Sequence, residues 1–189
     1  MAFFLLETLM KLVIGTLLTG KVVRKTSFGA FLAIKGETRE GLIHVSRMRG
    51  NSQDLRRQRL NSIEIGEEMV VEISDLKKEG KIKRIALSEK LVHDDLVFKH
   101  MPLNEPIEGI VANVEEYGAF IVLPSWHMTG LLHVSKFTGS SNERHKRLSA
   151  MQIGDSVTVY VLEIEKREDE IKLSLSESPA EIADEEIAA

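Results

Sequence analysis

At 189 residues, with 25 Lys and Arg, 29 Asp and Glu and a formal net charge of -4, the chain is sized for one ordinary domain or two small ones. It has no cysteine, which excludes disulfides and thiolate metal sites and fits a reducing, cytoplasmic compartment. The charge is unevenly laid: from Gly15 to Lys90 there are 16 Lys and Arg against 10 Asp and Glu, and from Leu91 onward 8 against 18, so a half that attracts phosphates precedes one that repels them.

At the N-terminus MAFFLLETLMKLVIG is apolar, but Glu7 and Lys11 interrupt it and it falls short of the ~20 apolar residues that span a bilayer. It lacks the basic start and small-residue cleavage site of a secretory signal. Leu5, Leu9, Leu12 and Val13 share a helical face, which predicts a short helix over 1–14 docked on the segment that follows, without membrane contact.

From residue 20 one pattern is stated twice. GKVVRKTSFGAFLAIKGETREGLIHVS (20–46) aligns without a gap on GIVANVEEYGAFIVLPSWHMTGLLHVS (109–135), with 10 of 27 positions identical. Further on, NSIEIGEEMVVEI (61–73) and RIALS (84–88) match SAMQIGDSVTVYV (149–161) and KLSLS (172–176), the mark of a tandem duplication.

Each copy reads as a small all-β domain. The basic copy, 15–90, predicts strands near 16–26, 28–35, 41–45, 68–77 and 81–88; the acidic copy, 107–177, predicts strands near 106–115, 117–123, 129–134, 156–166 and 170–176. The last two strands of each set make a hairpin, across Lys78, Glu79 and Gly80 and across Arg167, Glu168 and Asp169. Between the third and fourth strands lies a polar excursion, with Arg56, Arg57 and Arg59 in the first copy and Arg144, Lys146 and Arg147 in the second, which predicts a short helix or 3-10 turn. The expected fold is therefore all-β: two tandem five-stranded OB-type barrels with short helical connectors. A linker over 91–106 predicts a short helix and then an extended segment ending at Pro102 and Pro106. The end, 178–189, is acidic and without aromatics and predicts a disordered tail.

Binding RNA without a fixed sequence requires π-faces for unpaired bases and cations for the backbone. Phe28 and Phe31 supply rings at a strand start, and Tyr117 and Phe120 repeat them. Rings in strands are ordinarily core; here a bulge or twist at Gly29 is expected to bring both to one surface, and a tyrosine hydroxyl fits a sealed core poorly. His44 and His133 stand near the end of an apolar stretch in each copy; an imidazole there either stacks on a base or donates to a phosphate, or is satisfied by a nearby carbonyl. Lys21, Arg24 and Lys25, with Lys81 and Lys83, extend the basic track alongside Arg56, Arg57 and Arg59. The second copy replaces the first group by Ile110, Asn113 and Val114, followed by Glu115 and Glu116.

Taken together, the G-x-V openings at Gly20 and Gly109, the aromatic-GAF runs, the GL-x-HVS segments, the Ile65-Gly66 and Ile153-Gly154 turns and the LS endings resemble the S1 RNA-binding domain, over about 20–90 and 107–177. In that family the two aromatics, the histidine, an acidic residue closing the fourth strand and a basic residue on the fifth form the RNA face. The resemblance implies Phe28, Phe31, His44 and Arg84 in the first copy and Tyr117, Phe120, His133 and Lys172 in the second. The acidic position departs from the pattern: it falls on Lys77 in the first copy, where a cation adds to phosphate holding, and on Glu165 in the second.

These readings point to a non-enzymatic protein that binds single-stranded RNA, mRNA or rRNA, in translation or RNA turnover, with the ribosome or an RNA-degradation complex as further partners. The charge asymmetry supplies an alternative: an adaptor whose first copy binds RNA while its acidic second copy docks on a protein. No nucleophile elbow, HExxH pattern or glycine-rich phosphate loop is present, so neither catalytic residues nor a metal or cofactor are expected. Met1 and the acidic end weigh against a fragment of a larger ribosomal or nuclease polypeptide.

Overall fold

A computed structural model describes residues 12–79, 82–167 and 170–180. In the first copy, β1 (Leu17–Thr26), β2 (Gly29–Ile34), β3 (Glu40–His44), β4 (Glu68–Glu79) and β5 (Ile82–Ser88) form a closed barrel in the order β1-β2-β3-β5-β4. The second copy repeats it with β6 (Pro106–Glu115), β7 (Gly118–Leu123), β8 (Met128–His133), β9 (Ser156–Arg167) and β10 (Glu170–Ser176). All pairings are antiparallel except β3 with β5 and β8 with β10. Parallel neighbours cannot be joined by a tight turn, and here the polar excursion together with the strand after it, β4 or β9, makes the connection. It holds more helix than the sequence suggests: a 3-10 turn at Val45–Arg47 is followed by α1 (Gln53–Ser62), and one at Val134–Lys136 by α3 (Ser141–Ala150).

Compact units divide at Asp95 and Leu96, within α2 (Lys90–His100), which covers the predicted linker helix. Residues 12–14, the described end of the predicted N-terminal helix, are not helical; residues 1–11 lie outside the described part, as do 181–189 of the predicted tail. Residues 178–180 are held in place, since the Ser178 N–H donates to Ser176 Oγ and the Ala180 N–H to Asn104 Oδ1.

Strand alternation sets the core. In β2, Ala30, Leu32 and Ile34 point inward and are buried, while Phe31 points out half-buried. They meet Val22, Ile43, Val71, Ile73, Ile85 and Leu87, and Met48, Leu60 and Ile63 bring the excursion into the same cluster. Burial of these side chains, at roughly 1.5–3 kcal/mol each, is what each small barrel has to set against chain entropy.

Two local devices recur in both copies. First, β2 and β3 approach so closely at the hairpin that a Cβ on Gly29 would lie 2.2 Å from the Ile43 carbonyl oxygen, and one on Gly118 2.4 Å from that of Leu132. No other residue fits there without parting the strands. Second, an arginine on the helix clasps the glutamate that follows the LS ending. Arg59 Nε is 3.0 Å from Glu89 and its Nη2 is 2.6 Å from Glu67; Arg147 bonds Glu177, which also accepts from the Thr138 N–H and hydroxyl. Burial raises the Glu67 carboxyl, but the hydrogen bonds from Arg59 and the Glu64 N–H outweigh it and hold the group below the usual carboxylate range. Glu177 behaves alike, with Thr138 and Arg147 overcoming its desolvation.

Gly29→Ala or Gly118→Ala is expected to destabilise its barrel by about 1–3 kcal/mol through overpacking; equal urea midpoints for variant and parent would contradict the close approach. Because Glu67 ionises more readily in the folded state, its stabilisation is complete above the unfolded carboxylate value of about 4.3 and is lost as pH falls through the folded value. Urea midpoints of the parent and Glu67→Gln should therefore differ near pH ~7 and converge below pH ~4; a gap independent of pH would refute the clasp.

Candidate nucleic-acid interface

The ring pairs sit where the β1–β2 and β6–β7 hairpins turn. Phe28 is not part of β2: it occupies the turn, and its carbonyl accepts the Val45 N–H at 2.8 Å. Freed from strand alternation, its ring reaches the outer face on which Phe31 already lies. The rings meet edge to face, 6.2 Å apart at 82°; Tyr117 and Phe120 do the same at 6.3 Å and 88°, a preferred aromatic geometry. Phe28 is 46% and Tyr117 47% exposed. Of the bulge or twist expected at Gly29, the bulge falls elsewhere: the register slips in β1 between Val22 and Arg24, and in β6 between Val111 and Asn113, while Gly29 serves the approach to β3.

Directly across from Gly29 is His44, exposed at the end of β3. Its Nδ1 accepts the Ser46 N–H at 3.3 Å and lies 2.9 Å from Ser46 Oγ; in the second copy Nδ1 of His133 accepts from Ser135 at 3.2 Å with the hydroxyl at 2.9 Å. A backbone donor on Nδ1 places the neutral ring's proton on Nε2. Each imidazole thus caps the 3-10 turn after it through a neighbouring N–H, where the sequence offered only a carbonyl as the structural partner.

The register extends the surface away from the rings. Phe31 pairs with Leu42, and Leu42 with Ala86; one outward row further, Lys77 and Arg84 are direct partners and both exposed. In the second barrel Phe120 pairs with Leu131 and Leu131 with Ser174, while Lys172 opposes Glu165. Lys77 lies 3.6 Å from Asp75, and Glu165 binds Arg167 at 2.7 Å. Leu42 and Leu131, half-buried beside the rings, escape a sequence reading because a leucine in a short strand is read as core until its register is known.

The expected basic flank divides. Lys21 and Arg57 are exposed and Arg56 half-buried. Arg24 lies over the Phe31 ring, 3.6 Å from its centroid, and pairs with Glu40 at 3.3 Å, so it belongs to the aromatic platform. Lys25 donates at 3.0 Å to the carbonyls of both Asn61 and Ile63 at the C-terminal end of α1. Arg59 is the clear correction: its side chain is 10% exposed and its charge is taken up by Glu67 and Glu89, so it fastens the helix and is not part of a phosphate track. Lys81 and the side chain of Lys83 lie outside the described residues.

Among the described residues, no group of three or more His, Asp or Glu side chains is placed to hold a metal ion, and no helix is long and apolar enough to cross a membrane.

Known proteins resemble the chain over both barrels. The family model of the S1 RNA-binding domain matches residues 11–89 and again 102–176. The small ribosomal subunit protein bS1 of Streptococcus pneumoniae is 35% identical over 182 residues, covering 93% of this chain and 43% of that protein. A 4-hydroxy-3-methylbut-2-enyl diphosphate reductase of Clostridium acetobutylicum is 29% identical over 174 residues, covering 88% of this chain but 25% of the enzyme. The chain thus spans less than half the length of either. The solution structure of GSP13 from Bacillus subtilis is 30% identical over 43% of this chain and 58% of GSP13, with a TM-score of 0.35. Two matched segments, two barrels and one repeated ring-and-imidazole surface have a single explanation: the chain belongs to the S1 RNA-binding domain family and carries two copies of that domain.

Proposed function

We propose that the chain binds single-stranded RNA through both barrels, by base stacking on the ring pairs and phosphate contacts around them, without catalysing a reaction. The observation that carries this reading is the recurrence of an edge-to-face ring pair, its outer ring exposed, with a capping imidazole across the strand from it. Stacking on aromatic faces tolerates any base and contributes roughly 1–3 kcal/mol per base, and the Nε2–H of His44 or His133 is a donor suited to a phosphate or base edge. On the first barrel Phe28, Phe31, His44, Lys77 and Arg84 form the face, with Arg24, Lys21, Arg56 and Arg57 around it. On the second the face is Tyr117, Phe120, His133 and Lys172, where Glu165 opposes Lys172.

The two faces differ in charge, so their contributions differ. Phosphate neutralisation by the first barrel makes its binding strongly salt-dependent, whereas the second, with Glu115 and Glu116 at its hairpin, relies on stacking. The likeness to ribosomal proteins bS1 supports a place in translation, on mRNA or rRNA.

The test is a titration of a fluorescent single-stranded oligoribonucleotide with the full chain. Phe28→Ala with Phe31→Ala is expected to weaken binding by roughly 1–3 kcal/mol per lost stack; affinity equal to the parent's would remove the proposed face. Lys77→Met with Arg84→Met should lower the slope of log affinity against log salt by about 1–2, and Tyr117→Ala with Phe120→Ala should leave that slope unchanged.

A further inference from the structure

The sister barrels differ in how the first hairpin meets the end of the excursion helix. In the first, Lys25 crosses from β1 to α1, and its ammonium rests on the Asn61 and Ile63 carbonyls at 3.0 Å each. A helix C-terminus carries unpaired carbonyls and partial negative charge, so a cation there is stabilised. The molecule therefore contains one occupied example of a lysine site at this place in the fold.

In the second barrel the corresponding residue of β6 is Val114, paired with Ala119 as Lys25 is with Ala30. Among the described residues no side chain donates to the carbonyls of Ser149 and Met151, the counterparts of Asn61 and Ile63. What remains between the hairpin and α3 is a groove of about 440 Å³, lined by Val114, Glu115, Glu116, His145, Leu148 and Ser149. Its apolar floor is Val114 and Leu148. Acceptors surround that floor: Glu115 and Glu116 stand where the first barrel has Thr26 and Ser27, Glu115 taking one hydrogen bond from Asn113 Nδ2 at 2.8 Å, and His145 directs Nδ1 to the Ser141 carbonyl at 2.8 Å, so that Nε2 of the neutral ring is an acceptor.

We propose that this groove binds a lysine side chain presented by a basic protein partner, in the manner in which the first barrel binds its own Lys25. The methylene stem lies on Val114 and Leu148, and the ammonium is shared by the Ser149 carbonyl and the Glu115 and Glu116 carboxylates. RNA is the ligand that the groove disfavours, since phosphates meet two carboxylates at its mouth. The proposal does not depend on the ring face binding RNA.

The full chain is titrated into a fluorescein-labelled octalysine peptide. Val114→Lys supplies the missing lysine from within and should weaken peptide binding about tenfold. Glu115→Gln with Glu116→Gln should do the same without touching the floor, which keeps the test decisive if the valine variant folds poorly. Ser125→Lys adds the same charge elsewhere on the second barrel and should leave affinity within about twofold. Equal weakening by Ser125→Lys and Val114→Lys would show long-range charge alone, and overturns the site. So does parental affinity in both groove variants, or a groove variant that loses oligoribonucleotide binding while keeping the peptide.

Discussion

Everything on the outer face of each barrel depends on one short contact, the approach of β2 to β3 at the first hairpin. With no Cβ at Gly29, the Phe28 carbonyl reaches the Val45 N–H. That bond ends β3, turns the chain into a 3-10 segment and puts His44 opposite the ring-bearing turn. The ring pair and the imidazole are thus consequences of a single backbone constraint, and the identical arrangement around Gly118, Tyr117, Val134 and His133 is what a rigid constraint produces when it is duplicated.

Around that shared geometry the two copies differ in charge. The first places a guanidinium on its inner ring and a lysine on its helix end; the second has Asn113 and Val114 at those positions and carboxylates beside them. Neither change disturbs the barrel: Arg24, Lys25 and Asn113 are exposed on the hairpin, and Val114 packs against the edge of its core. A tandem pair of this kind can hold one scaffold while giving its halves different ligands, with tethering to raise the effective concentration of the second contact.

The barrels were legible in the sequence because period-two alternation and turn residues are local signals, and the repeat doubled each of them. The rings and histidines were legible as residues, but the means of their convergence was not. A bulge at Gly29 was the local way to bring Phe28 and Phe31 together, whereas the chain uses a turn at one residue and a register slip on the neighbouring strand, which only strand pairing reveals. Arg59 illustrates the other limit. Three arginines in a polar helix look alike in one dimension, and the one facing Glu67 and Glu89 is singled out by two carboxylates 8 and 30 residues away.

The parallel contact of β3 with β5 joins residues such as Leu42 and Ala86, far apart along the chain. Closing so long a loop is entropically costly and late, so neither barrel is complete until its final strand is available. During synthesis the N-terminal barrel can seal before its look-alike emerges. Strands of two repeats of the same fold are thereby kept from pairing with one another, and the order of emergence protects each half from its twin.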